Sequence, residues 1–171
     1  MKVTFRYGRP DRASWLVTSG VTLVAAGVIA WLFVSCGGAY YIAAWVCAIA
    51  VAIAVLFLLS KPTRIILSDD CLELRCLMDT TYIPVESVVD IVALGAEGFR
   101  HKVPLCGSWA FWGYFGHYID LRTWRLHRVY ATTRKGCVAI HTTRHRYLVS
   151  CHNAELLVSL VLDARARCAK E

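Results

Sequence analysis

Two stretches without one Asp, Glu, Lys, Arg or His, Trp15 to Val34 and Ala39 to Leu59, limit what this chain can become more than any other feature. They run 20 and 21 residues. At about 1.5 Å of rise per residue, each predicts a helix roughly 30 Å long whose backbone hydrogen bonds are all internal, as a bilayer core requires. Between them stands only SCGG, residues 35 to 38, which predicts a tight reversal and an antiparallel hairpin. Lys2, Arg6, Arg9 and Arg12 precede the first stretch and Lys61 and Arg64 follow the second, while the connection carries no basic residue. This asymmetry predicts a plasma (inner) membrane crossed twice with both termini cytoplasmic.

The first stretch is longer than the about 7 to 15 apolar residues of a signal peptide, and a second stretch follows at once. Small residues recur every four positions, at Thr18, Thr22, Ala26 and Ala30 and again at Ala44, Ala48 and Ala52, so these stripes are the expected packing faces of the hairpin. A transporter or proton relay needs ionisable groups at membrane depth, and neither stretch has any. The hairpin therefore reads as an anchor first and an assembly surface second. The expected division is a basic N-terminus at 1–14, a hairpin at 15–59 and one cytoplasmic domain at 60–171.

Within that domain the pattern is β-rich. TRIILS (63–68), CLELRCL (71–77) and TTYIPV (80–85) are separated by turns at Asp69 and Asp70 and at Met78 and Asp79. In the second run Leu72, Leu74 and Cys76 alternate with Glu73 and Arg75, which predicts a half-buried antiparallel strand. SVVDIVAL (87–94) predicts another strand, whereas GAEGFRHKVPLCG (95–107), with its early glycines and a proline, reads as a loop. RLHRVYATT (125–133), CVAIHTT (137–143) and HRYLVS (145–150) complete six or seven strands. After Asn153, a good N-cap, the positions Leu156, Leu157, Leu160, Val161, Ala164 and Cys168 form the stripe of a C-terminal amphipathic helix. The fold class expected is α+β.

The motifs FWGYFGHY (111–118), VYATTRKG (129–136) and RYLVS (146–150), behind two apolar helices, resemble membrane-anchored bacterial pleckstrin homology (PH) domain proteins. The resemblance covers nearly all of the chain. It implies a PH-like antiparallel β-sandwich or barrel capped by the C-terminal helix, and it carries no activity. In the family further glycine tends to stand where this chain has Trp109 and Ala110.

The segment GSWAFWGYFGHYID (107–120) holds six aromatic rings and three glycines. Gly107, Gly113 and Gly116 match neither GxxxxGK[ST] nor GxGxxG, so a nucleotide cradle is not expected. Trp112, Tyr114 and Phe115 are expected between sheets, with Gly113 and Gly116 at a bulge or bend. The competing expectation places Trp109, Phe111 and Trp112 at the lipid interface, where indole and phenyl rings are at home.

Charge marks a second candidate. Arg122, Arg125, Arg128, Arg134, Lys135, Arg144 and Arg146 are seven cations in a stretch without an acid, in a chain of net charge +7. They are either a solvated face or a patch for anionic headgroups or a partner. The six cysteines outside the hairpin include no CxxC pair, so they read as structural. His141 and His145 should be separated by a turn beside Arg144 and Arg146, which disfavours zinc. No GxSxG, HExxH or paired carboxylate signature occurs. No cofactor, metal or catalytic residue is therefore expected. The function expected is a membrane-anchored, non-enzymatic PH-like interaction module at the cytoplasmic face of a bacterial membrane, binding protein segments or anionic lipid headgroups. The alternative is a small accessory or sensor subunit of a larger transporter or secretion complex. Partners expected are membrane lipids and a protein, with a second copy reachable through the hairpin; no nucleic-acid recognition motif is present.

Overall fold

The chain begins with a strand. In the computed structural model, which describes residues 2–35 and 40–168, β1 (Val3–Arg6) leads into α1 (Arg12–Ser35) and α2 (Tyr40–Leu59), and β2 (Pro62–Leu67) follows. β1 and β2 pair antiparallel, Val3 opposite Leu67 and Arg6 opposite Arg64. The two apolar helices are thus an insertion between neighbouring strands of one sheet. This changes the expected division of the chain: the basic start of the sequence belongs in part to the β domain. Phe5 enters its core. The reversal expected at SCGG lies, beyond Ser35, outside the described residues.

β3 (Cys71–Cys76) and β4 (Thr80–Pro84) extend the first sheet in the order β1-β2-β3-β4. Both expected turns form, with Ser68 N–H donating to Cys71 O and Cys76 N–H to Asp79 O, each at 2.8 Å. Leu72 and Leu74 face inward as their alternation requires.

The second sheet has six strands: β5 (Val88–Gly95), β6 (Lys102–Ser108), β7 (Tyr114–Asp120), β8 (Arg125–Ala131), β9 (Cys137–Thr142) and β10 (Arg146–Ser150), in the order β5-β9-β10-β8-β7-β6. β6 stands where a loop was expected. It pairs antiparallel with β7, and as the outermost strand it tolerates Pro104, whose missing N–H can face outward. The sheets do not close into a barrel. β9 crosses to pair with β5, and β10 returns into the slot between β9 and β8, where it runs parallel to β8.

The period of two divides β9 and β10 between two cores. Val138, Ile140, Tyr147 and Val149 join Ile65, Leu72, Leu74 and Ile83 of the first sheet. Cys137, Ala139 and Leu148 face Phe99, Tyr114 and Tyr118 on the other side. Each fully buried Leu or Ile contributes about 1.5–3 kcal/mol of transfer free energy. α3 (Ala154–Cys168) caps the first core with Leu157, Val161 and Ala164. Leu156, expected in the buried stripe, is 48% exposed, because one narrow face of α3 meets the sheets.

Candidate functional site

Among the described residues, covalent connections and hydrogen bonds link the helices to the β domain at one end of the strands. Gly8 O accepts from Thr132 Oγ1, and the Asp11 carboxylate accepts from Thr133 Oγ1 at 2.5 Å and Arg134 N–H at 2.8 Å. On the far side of the insertion, the N–H groups of Leu77 and Met78 donate to Lys61 O and Leu59 O at 3.2 Å. A third link comes from the aromatic turn: Trp112 N–H donates to Thr18 Oγ1 at 2.9 Å, about 9 Å along α1 from its start. Ile53 and Leu56 of α2 line a cavity of about 480 Å³ with Cys106, Phe115, Gly116 and Tyr130.

α1 is long and apolar enough to cross a membrane. Its side chains and those of α2 stand open: Leu23 is 74% exposed, Val34 84% and Trp45 71%. The helices touch each other, yet Thr22, Ala26, Ala30, Ala44, Ala48 and Ala52 are all exposed; the more covered described positions include Thr18, bonded to Trp112, and Ile29, Leu32, Cys47, Ala50 and Ala54. Apart from Thr18, the small-residue stripes thus remain open on the surface of the pair.

The turn from Trp109 to Gly113 joins β6 to β7. Ala110 and Trp112 take φ of 66° and 56°, the left-handed region that glycine enters most easily. Trp109 stacks on Tyr118 and meets Tyr114 edge-on, both at 6.0 Å. The Arg134 guanidinium lies 5.1 Å from the Trp109 ring centre and 5.0 Å from that of Tyr114, in cation–π geometry. Tyr114 and Phe115 are buried as expected, but Trp112 is only half-buried and stacks on Phe111 at 5.1 Å instead of entering the core. Exposed Leu77, Met78 and Leu105 lie near the same end.

The seven cations do not form one surface. Arg134 and Lys135 sit at the helix end, Lys135 beside Arg9 and Arg12. Arg125, Arg128, Arg144 and Arg146 converge at the opposite end of the strands, lining a concavity of about 420 Å³. Arg122 lies outside it, in the turn after β7, with its N–H on Asp120 Oδ1 at 2.9 Å. From Tyr130, beside the helices, to Arg125 is five residues of strand, roughly 17 Å. Sequence showed the cations but could not divide them, because the division depends on which strand ends lie together.

Beside the concavity is a buried polar group that sequence reading missed. Lys102 is 8% exposed and donates from Nζ to Gly98 O at 2.7 Å. His127 Nε2 stands 4.0 Å from Asp120 Oδ2, and neither ring nitrogen has a hydrogen-bond partner among the described residues. Burial, with Lys102 adding to it, pushes the His127 pKa down to about 4. The alternation of RLHRVYA places His127 on the inward face with Val129 and Ala131, a signal available in the sequence. Burial likewise pushes the Cys137 thiol up to about 12 and Cys76 to about 11, the reverse of what a nucleophile or metal ligand needs. His141 and His145 flank the β9–β10 turn, His141 Nδ1 standing 3.9 Å from Asp90 Oδ2.

The profile for the bacterial PH domain matches residues 63–163, a span that takes in the aromatic turn, the arginine concavity and the motifs FWGYFGHY, VYATTRKG and RYLVS. No curated protein and no solved structure matches the chain. PH domains are in general non-catalytic interaction modules. With well over half of its length inside that match, the chain belongs to the bacterial PH domain family.

Proposed function

We propose that this chain is a membrane-anchored interaction module: α1 and α2 form a transmembrane hairpin, and the PH domain is held beneath the inner leaflet of a bacterial plasma membrane with both termini cytoplasmic. The observation that carries this reading is the insertion of two open apolar helices between β1 and β2, so that the domain grips both ends of the pair. Arg6, Arg9, Arg12, Lys61 and Arg64 gather where the helices leave the domain, the side that the excess of basic residues assigns to the cytoplasm. Exposed Trp109, Leu77, Met78 and Leu105 near that end, with half-buried Phe111 and Trp112, suit the headgroup boundary. Of the patch residues at this end, exposed Lys135 beside Arg9 and Arg12 is the one free to meet anionic headgroups, worth about 1 kcal/mol near the surface, while Arg134 is half-buried over the Trp109 and Tyr114 rings. Contact with a partner is the work of the module, and the helices fix where that contact takes place.

The test is membrane fractionation with a C-terminal epitope tag. The protein should remain in the carbonate-washed membrane pellet, and protease should remove the tag only after the inner membrane is opened. Release into the carbonate supernatant, or digestion of the tag in intact spheroplasts, overturns the proposal.

A further inference from the structure

The arginine concavity lies at the end of the strands opposite the helices, and so away from the bilayer under the proposed anchoring. Roughly 17 Å of strand separates it from the helix end, about two Debye lengths at physiological salt, and the double connection through β1 and β2 keeps the domain from tipping over. Headgroups of that membrane are therefore not its natural ligand. Arg125 and Arg144 are exposed, Arg128 and Arg146 are half-buried, and none of the four has an ion-pair partner among the described residues. Four like charges held together without an acid favour an anionic occupant, and the guanidinium fork suits carboxylates.

What kind of anion follows from the surface next to it. The concavity runs into a groove of about 740 Å³ through shared walls at Arg128 and Arg144. The opposite wall of the groove is β4, the outermost strand of the first sheet, with Tyr82 62% exposed. Among the described residues β4 pairs only with β3, so its outer edge offers the main-chain donors and acceptors that a further strand takes up. Glu86 is the one carboxylate among the described residues lining the groove.

We infer that this groove receives an extended acidic segment of a partner protein, paired along β4 with its carboxylates directed at Arg125, Arg128, Arg144 and Arg146. An edge strand beside a cation cluster gives both parts of such recognition: the main chain supplies affinity and the side chains supply selectivity. The inference rests on the proposed anchoring for setting aside that membrane's headgroups and for the direction from which the segment arrives; the charge cluster and the open edge of β4 stand without it.

The experiment uses the full chain in neutral detergent, so that it is independent of membrane topology. A fluorescein-labelled peptide alternating Glu and Val should bind saturably, and the same peptide with Lys for Glu should not. Arg125→Glu with Arg144→Glu, both on exposed positions, should weaken binding about tenfold or more while leaving the melting curve unchanged. Arg144→Gln serves as a milder variant with a smaller loss. Hydrogen exchange should slow at the amides of β4 on adding the peptide. Unchanged affinity in the charge-reversed variant, binding without protection of β4, or saturable binding of pyrophosphate or of phosphatidylglycerol vesicles in place of the peptide would each overturn the inference.

Discussion

His127 sits in β8 with its side chain 5% exposed, close to Asp120 and to the buried ammonium of Lys102. Burial disfavours the imidazolium more than Asp120 favours it, so the folded pKa lies at about 4 against an ordinary 6.5. Between those values the unfolded chain binds a proton that the folded one refuses. Stability is therefore complete above about pH 6.5 and falls as the pH drops toward 4, by up to about 3 kcal/mol for a shift of this size. His141, lowered in the same direction by burial and by Arg146, adds to the acid sensitivity. Denaturant unfolding in detergent at neutral and acid pH checks this. The wild type should lose more stability on acidification than His127→Phe, which fills the site without titrating, and equal losses would place the sensitivity elsewhere.

At the scale of the element, the β6–β7 hairpin depends on two glycines facing each other. Gly107 pairs with Gly116, at φ of 134° and 115°. A Cβ on Gly116 would lie 2.3 Å from Cys106 O and 2.7 Å from Gly107 Cα, both backbone atoms that cannot swing aside. Gly95 also has a positive φ of 56°, but nothing stands within 4 Å of its Cβ position. Gly95→Ala should accordingly cost about 1–3 kcal/mol, the conformational penalty alone of a φ of 56° with ψ of −134°. Gly116→Ala should cost clearly more, about 3 kcal/mol or above, because the strands must also part. Thermal unfolding of the two variants side by side checks the order, and similar losses would show that the contact relaxes freely. The need for glycine at 116 was readable in FWGYFG; its partner was not, because GAEGFRHKVPLCG looks like a loop until an edge position excuses Pro104. β1 was hidden for a different reason. VTFR is too short for a periodic signal and lies among cations, and only its neighbour across the sheet, β2, brings Phe5 into the core. The strands from 63 to 85 and from 125 to 150 were legible because each alternates or runs apolar between clear turn residues. The parallel β8–β10 pair was not, since strand order is set by which cores the two faces of β9 and β10 fill.

For the molecule as a whole, the insertion of the helices between β1 and β2 turns a question of affinity into one of orientation. A domain on one flexible tether can present any face to a bilayer; under the proposed anchoring, one whose neighbouring strands each lead into a helix should present one end. Trp112 bonded to Thr18, and Asp11 bonded to Thr133 and Arg134, reinforce that setting. The molecule carries its own depth markers for testing it. Trp109 lies in the turn at the helix end and is 41% exposed, while Trp124 lies in the turn between β7 and β8 at the other end and is 74% exposed. Two variants, each keeping one of these and replacing the remaining tryptophans with Phe, can be placed in bilayers containing brominated lipid. Quenching by bromine needs near contact, so Trp109 should be quenched in proportion to the brominated fraction and Trp124 should not respond. Adding Lys135→Glu in anionic bilayers should weaken the Trp109 response, since that cation lies at the same end beside Arg9 and Arg12, while Arg144→Glu should leave it unchanged. Equal quenching of both tryptophans would mean that the domain lies on its side, with the arginine concavity against the lipid and its ligand drawn from the membrane after all.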